Sequence, residues 1–218
     1  MTIRDRENQL FRNWYRSVSI KEGQQFVIDG LVDEEEWKDT PFNVLYLSDQ
    51  PVGITDDECE YLYLYDSTYT HKHSEKIDRL IQWMQIILHG AVQASISEEH
   101  KRWLLRQIAV VNMDKISGSE ESDRRVNSII GRLFLREQLA LYSADLVLCD
   151  GTVEALRKLD TKYAANKWKR TAGGMDYLRI GRTIYLGSHP DEYAFAQALH
   201  EIDQLEKMKW EGRRGLPL

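Results

Sequence analysis

Polar clusters follow four short apolar runs of the sequence, at the point where each run ends. Aspartate and histidine carry acid–base chemistry in many enzymes, and the clusters contain both residue types. The runs are Asn43 to Leu47, Ile108 to Val111, Asp145 to Cys149 and Thr183 to Leu186. The clusters are Ser48-Asp49-Gln50-Pro51, Asn112-Met113-Asp114-Lys115, Asp150-Gly151-Thr152 and Ser188-His189-Pro190.

The apolar runs predict buried parallel strands. Each is short and rich in Val, Leu, Ile or Tyr, and helix-patterned sequence separates most of them. The carboxyl ends of parallel strands meet at one edge of a sheet, where open α/β folds bind ligands. The sequence therefore predicts that Asp49, Asn112, Thr152 and His189 share one pocket.

The pattern between the strands predicts helices. Apolar residues recur at helical spacing near residues 4–15, 74–91 and 121–142, and helix signals also mark residues 97–106, 152–159 and 190–210. This alternating order predicts an α/β fold, a three-layer α/β/α sandwich with a short, mainly parallel four-stranded sheet. The length suits one domain over residues 1–218, with residues 1–25 as an N-terminal helical arm.

Composition limits the partners and the compartment. The net charge of −6 gives no global attraction to phosphate, so any contact with nucleic acid would depend on local basic patches. Cys59 and Cys149 are the two cysteines, too few for a disulfide framework, which favours a reducing, cytoplasmic compartment. No apolar stretch approaches the roughly 20 residues of a membrane helix, and the N-terminus is too charged for a signal peptide. We expect a soluble protein with no membrane partner.

Four segments in order resemble the uracil-DNA glycosylase-like superfamily. The first is a strand and loop that end in Pro (Val44 to Pro51), and the second is a strand that ends in Asn (Ile108 to Asn112). The third is a helix that runs into a strand (Leu135 to Thr152), and the fourth is the segment Tyr185 to Pro190. Together they cover about residues 26–205. The resemblance implies that fold and a function on DNA or a nucleotide, without a cofactor.

The resemblance also implies roles for individual residues. Asn112 is similar to the amide that reads a base, and His189 to the histidine that stabilises negative charge on the leaving base. Hydrolysis of an N-glycosidic bond needs a carboxylate that orients water, and Asp49 is the candidate. The implied catalytic residues are Asp49 and His189, and the implied substrate-binding residues are Ser48, Gln50, Pro51, Asn112 and Ser188.

The chain departs from the family's pattern at several points. Asp49 and Gln50 stand in an unusual order, and Asp191 and Glu192 follow Pro190 where carboxylates would repel phosphate. Two cysteines exclude the four-cysteine iron–sulfur cluster of some members. These departures favour an alternative, a non-catalytic member that binds a nucleotide, a nucleic-acid end or a protein partner.

Each polar cluster also has a purely structural interpretation. Ser188 to Asp191 resembles a helix capping box, and Asp49 to Pro51 is typical of a turn. Asn112 would tie down a strand end by bonding to backbone groups. The segment Asp150 to Thr152 is typical of a strand-to-helix turn capped by Thr152.

Two further clusters carry charge or histidine. Lys167, Trp168, Lys169 and Arg170 form the best local candidate for contact with nucleic acid, although the same stretch is typical of a polar loop before a hairpin turned at Gly181. The segment His71 to His73 lacks a clear third ligand, so we predict no metal site there.

Overall fold

Helices and strands alternate along the chain in the computed structural model, which describes residues 1–49, 74–117, 129–187 and 192–206. The helices of these stretches are α1 Ile3–Ser17, α2 Glu34–Asp39, α3 Ser74–His89, α4 Glu98–Arg106, α5 Ile129–Tyr142, α6 Val153–Leu159 and α7 Glu192–Glu206. The strands are β1 Gln25–Phe26, β2 Gly30–Leu31, β3 Val44–Ser48, β4 Ile108–Asn112, β5 Ile116–Ser117, β6 Leu146–Asp150, β7 Lys169–Arg170, β8 Asp176–Ile180 and β9 Thr183–Gly187.

The predicted α/β class is confirmed, but the sheet is larger than predicted. Within the described residues it has seven strands in the order β2-β4-β3-β6-β9-β8-β7, rather than four. The four apolar runs form the parallel centre, because β3 pairs with β4 and β6, and β6 pairs with β9. Antiparallel strands extend both sides, β2 beside β4, and β8 and β7 beside β9. The two-residue strands β2 and β7 are too short to show a period of two in the sequence.

Helices cover both faces of the sheet. Alternate strand residues point to opposite faces, so one face packs Tyr46 and Leu148 against helices α3, α4 and α7. The other face packs Leu47 and Val111 against helices α1, α5 and α6. All five residues of β3 and all five of β4 are buried as a result, which explains why these runs are almost continuously apolar.

Several predicted helices appear close to their expected bounds. Helix α4 begins after Ser97, whose hydroxyl accepts the His100 N–H at 3.1 Å, as the predicted cap requires. Helix α3 matches the predicted segment 74–91. Helix α5 is described from Ile129, and the predicted residues 121–128 lie outside the described part of the chain.

Helix α1 packs onto the domain through its apolar face. The Trp14 ring stacks on Phe134 of α5, with 5.4 Å between the ring centroids. Thr2 and Asp5 form a capping box at the start of α1. Glu34 of α2 also accepts the backbone N–H groups of Ile3 and Arg4, at 3.0 and 3.1 Å, so two helices are joined at this end.

The described helices do not meet the requirements of a membrane span. Within the four described stretches, none has the length and apolar character that a membrane span needs.

Replacement of Gly30 tests the close approach of α1, β2 and α5. Gly30 has φ +127°, and a Cβ atom there would lie 2.1 Å from Glu7 Oε1 and 2.8 Å from the Tyr142 hydroxyl. We expect Gly30→Ala to lower the free energy of unfolding by roughly 3 kcal/mol or more, measured by chemical denaturation.

Gly23→Ala is the matched control for backbone strain without a clash. Gly23 has φ +78°, and a Cβ atom there would have nothing within 4 Å. The Gly23→Ala variant should therefore lose only about 1–2 kcal/mol of its free energy of unfolding. Equal losses for the two variants would show that the close contact at Gly30 has no energetic consequence.

Candidate functional site

The strand order reverses at the carboxyl ends of β3 and β6, and we call this part of the sheet edge the crevice. The chain passes from β3 to β4 on one side of β3, then crosses back to β6 on the other side. Open α/β sheets bind ligands at such a reversal of strand order. Ser48 and Asp49 lie at the end of β3, and Asp150 and Gly151 at the end of β6. This crevice is the candidate site.

The strand register brings three of the four predicted polar clusters together. Ser48 lies opposite Asn112 of β4 on one side and opposite Asp150 of β6 on the other. Neighbouring strands are about 4.8 Å apart, so these residues occupy the width of a small ligand. Ser48 is buried, whereas Asp49 and Asp150 are partly exposed. The fourth cluster follows β9, whose last residue, Gly187, lies opposite Cys149 of β6.

Asp49 is held against the β4 side of the crevice by its backbone. The Met113 N–H donates to the Ser48 carbonyl at 2.8 Å, and the Asp114 N–H donates to the Asp49 carbonyl at 3.2 Å. The buried Asp114 carboxylate accepts the Ile116 N–H at 3.0 Å, which stabilises the turn that follows Asn112. The backbone of Asp49 is therefore held in place, and this half-buried residue lies at the predicted edge.

The other predicted residues around this loop cannot be placed. Gln50, Pro51, Ser188 and His189 all lie outside the described residues. Their catalytic and substrate-binding roles stay predictions.

Asn112 is fully buried and bonded to a carboxylate that sequence analysis missed. Asp29 Oδ2 accepts the backbone N–H of Asn112 at 2.7 Å and its side-chain Nδ2 at 3.0 Å. The Asn112 side chain is therefore held at the strand end by a carboxylate, whereas the structural interpretation predicted backbone groups as its partners. Base reading by Asn112 stays a prediction.

Asp29 forms a buried ion pair with Lys115. The Lys115 ammonium donates to Asp29 Oδ2 and, at 2.7 Å, to the Asn112 carbonyl. Its Nζ also lies 5.4 Å from the centroid of the Trp14 ring, within the range of a cation–π interaction. Removing two charges from water is costly, and such a pair is stable only when its remaining hydrogen-bonding groups are satisfied. One signal of this pair is present in the sequence, since Asp29 is a lone charge in the apolar segment 26–32.

The ion pair continues into a buried chain of hydrogen bonds. Gln138 Nε2 of α5 donates to Asp29 Oδ1 at 2.7 Å and lies 3.1 Å from the Tyr142 hydroxyl oxygen. The Tyr142 hydroxyl donates to Glu7 Oε1 of α1 at 2.9 Å, and the Leu31 N–H donates to the same oxygen. The site edge is thus connected to α5, β2 and α1.

Within this chain of hydrogen bonds, the Glu7 carboxyl titrates near neutral pH. Burial raises the pKa of the Glu7 carboxyl from its ordinary 4.5 to about 7, against the opposing effects of the Leu31 N–H, the Arg4 guanidinium and the Tyr142 hydroxyl. Proton uptake by this one residue should therefore affect stability in the neutral range.

The turn after β6 has the predicted position but not the predicted cap. Thr152 is the residue before α6, and Gly151 has φ +67°, as a tight strand-to-helix turn requires. The Thr152 hydroxyl does not cap the helix, however, and donates to the Leu47 carbonyl at 3.3 Å. Thr152 is buried, and this bond connects the start of α6 to β3.

The predicted nucleic-acid contact residues lie at the antiparallel edge of the sheet. Lys169 Nζ donates to Glu206 Oε1 at 2.6 Å, and Arg170 Nε donates to Asp176 Oδ1 at 2.7 Å. Trp168 is half-buried and donates its indole N–H to the Tyr163 carbonyl at 2.8 Å, while Lys167 is exposed. Neighbouring carboxylates offset much of the positive charge on which this prediction depends.

Metal binding has no support in the described part of the chain. No group of three or more His, Cys, Asp or Glu side chains there is arranged to hold an ion, and residues 71–73 lie outside it. Cys149 is buried, which raises the pKa of its thiol to about 12 and keeps it protonated at neutral pH.

No protein-family model, curated protein or solved structure matches the chain. The chemistry of the site therefore has to be inferred from its geometry.

Replacing Lys115 tests the energetic role of the buried ion pair. Lys115→Met leaves the Asp29 carboxylate buried without its cation, and we expect the free energy of unfolding to fall by roughly 3–5 kcal/mol. Adding Asp29→Asn should recover part of this loss, because an amide carries no charge. Chemical denaturation measures both variants.

Lys101→Met is the control for loss of an ordinary ion pair. Lys101 bonds Glu98 on the surface of α4, where ion pairs contribute little, so its replacement should change stability far less than Lys115→Met. Similar losses for the two lysines would contradict a special role for the buried pair.

Glu7→Gln tests the pH dependence. In the folded protein Glu7 keeps its proton up to about pH 7, whereas in the unfolded chain it ionises near its ordinary value of 4.5. The folded state then binds more protons between these values, so wild-type stability should fall by about 3 kcal/mol relative to Glu7→Gln as pH rises from 4.5 to 7. Denaturation curves across this range give the difference.

Glu34→Gln supplies a control with the opposite sign. Burial acts to raise the pKa of Glu34, but the Arg4 and Ile3 N–H groups and Lys38 outweigh it, and the pKa lies below its ordinary value. The contribution of Glu34 to stability is lost only as pH falls below about 4.5. Between pH 4.5 and 7, the stability of Glu34→Gln should therefore change with pH as the stability of wild type does. A wild-type slope that survives in Glu7→Gln would show that another group causes it.

Proposed function

We propose that the chain is a uracil-DNA glycosylase-like hydrolase of N-glycosidic bonds that acts on a base of DNA or of a nucleotide. The observation that carries this proposal is the position of Asp49. This half-buried residue directly follows β3 at the reversal of strand order, which is the place where open α/β sheets bind ligands. The four parallel strands that the resemblance requires support the proposal.

The proposed chemistry needs two groups beside the substrate. Asp49 orients the attacking water and stabilises positive charge on the sugar as the bond to the base breaks. His189 follows β9, the strand beside β6, and is the proposed donor to the departing base. Asn112 is the proposed base-reading residue. Asn112 is fully buried and its Nδ2 donates to Asp29, so base reading would require this amide to become accessible when the substrate binds.

A second candidate function is binding without hydrolysis. It is favoured by the bond between Asn112 and Asp29, which engages the amide in the fold, and by the carboxylate partners of Lys169 and Arg170. In this case the crevice would bind a nucleotide, a nucleic-acid end or a protein partner.

Base release decides between the two candidates. Uracil-containing single-stranded and double-stranded oligonucleotides and the free nucleoside are incubated with wild type, Asp49→Asn and His189→Ala, and the free base is quantified. We expect release by wild type, and a rate lower by roughly 10²–10⁴-fold in each variant, the range typical of a lost acid–base group.

Glu137→Gln is the control variant, because Glu137 is exposed on α5. It should release base at the wild-type rate. Release that is unchanged in Asp49→Asn would contradict the catalytic role of Asp49. Absence of release from every substrate by folded wild type would favour binding without hydrolysis.

A further inference from the structure

A tyrosine–aspartate pair lies at the crevice and has no part in the chemistry proposed so far. The Tyr46 hydroxyl of β3 donates to Asp150 Oδ2 of β6. Tyr46 lies opposite Leu148 and Ser48 lies opposite Asp150, so Tyr46 and Asp150 are diagonal neighbours on the same face of the sheet. The pair therefore spans the two strands that form the crevice.

Core packing holds the tyrosine in place. Its ring is buried, with 6.4 Å between its centroid and that of Trp83, and Trp83 in turn stacks on Phe195 at 5.4 Å. A ring packed in this way keeps its hydroxyl in one position. The carboxylate of the half-buried Asp150 is consequently oriented by the hydroxyl of a core residue, Tyr46.

The charges at the crevice select the kind of ligand group that can approach. Asp49 directly follows β3, and Asp150 is the last residue of the neighbouring β6. An ionised carboxylate accepts hydrogen bonds without donating any. A carboxylate has about four acceptor positions, so Asp150 can accept from a ligand as well as from Tyr46. Like charges repel, so a phosphate is disfavoured at this point and a neutral donor such as a hydroxyl is favoured.

We infer that Asp150, oriented by Tyr46, accepts a hydrogen bond from the unesterified 2′- or 3′-hydroxyl of a nucleoside. Asp150 is then a specificity-determining residue and Tyr46 a positioning residue. The inference rests on the proposed function for the presence of a nucleoside in the crevice, but it does not require hydrolysis.

A comparison of matched ligands tests the inference. Binding of uridine, cytidine, adenosine and guanosine is measured by calorimetry and compared with binding of their 2′,3′-dideoxy counterparts. Hydrogen bonds to charged groups are strong, so we expect wild type to prefer at least one nucleoside over its dideoxy counterpart by roughly 10- to 100-fold. Asp150→Ala should abolish this preference.

Two further variants separate positioning from stability. Tyr46→Phe keeps the packed ring and removes only the hydroxyl, so it should reduce the preference while dideoxynucleoside binding stays unchanged. Glu137→Gln should keep the wild-type preference. A merely structural role for Tyr46 or Asp150 would weaken both members of each ligand pair equally.

The outcomes also separate this inference from the proposed function. Equal binding of a nucleoside and its dideoxy counterpart by wild type, a preference that persists in Asp150→Ala, or no nucleoside binding by folded protein would each overturn it. Base release from oligonucleotides without nucleoside binding would leave the proposed hydrolase standing and overturn the inference. A hydroxyl preference without base release would support the inference and argue against hydrolysis.

Discussion

The Asp29 carboxylate is fully buried, so the protein itself has to supply the hydrogen-bond donors that water would otherwise provide. Donors come from the backbone and side chain of Asn112, from Lys115 and from Gln138. A buried charge that loses a partner is costly, and for that reason the end of β4, the turn after it and helix α5 are held in one arrangement. The chain of bonds through Tyr142 to Glu7 extends the same requirement to α1.

The candidate site depends on this arrangement through the backbone. The segment that follows Asn112 donates to the carbonyls of Ser48 and Asp49, so the end of β3 is held by the part of the chain that Asp29 and Lys115 organise. On the β6 side of the crevice, Asp150 is held by a hydrogen bond from the Tyr46 hydroxyl. Two separate polar arrangements thus hold the two strand ends between which a ligand would bind. The first, around Asp29, is fully buried, and the second, between Tyr46 and Asp150, is partly buried.

Much of the fold could be predicted from local patterns. The four central strands are buried on both faces, which leaves continuous apolar runs such as Val44–Leu47 that are visible without a structure. Helix α4 carried its own start signal in Ser97. The hairpin of β8 and β9 was also visible, through the turn at Gly181. The strands β2 and β7 left no such signal, because they have two residues each. The position of Asp49 at the carboxyl edge followed from the parallel order alone, since all parallel strands end at one edge.

The sequence by itself determined the four central strands, most of the helices and which polar residues stand at the sheet's edge, because periodicity and caps act over a few residues. Only the tertiary structure decided the partners of those residues. Asp29 and Asn112 are 83 residues apart, Tyr46 and Asp150 are 104 apart, and Lys169 and Glu206 are 37 apart. A hydrogen bond between distant residues depends on the path of the whole backbone, and a carboxylate can accept from any donor that this path brings near it. The bond between Asn112 and Asp29 and the bond between Lys169 and Glu206 therefore had no local signature.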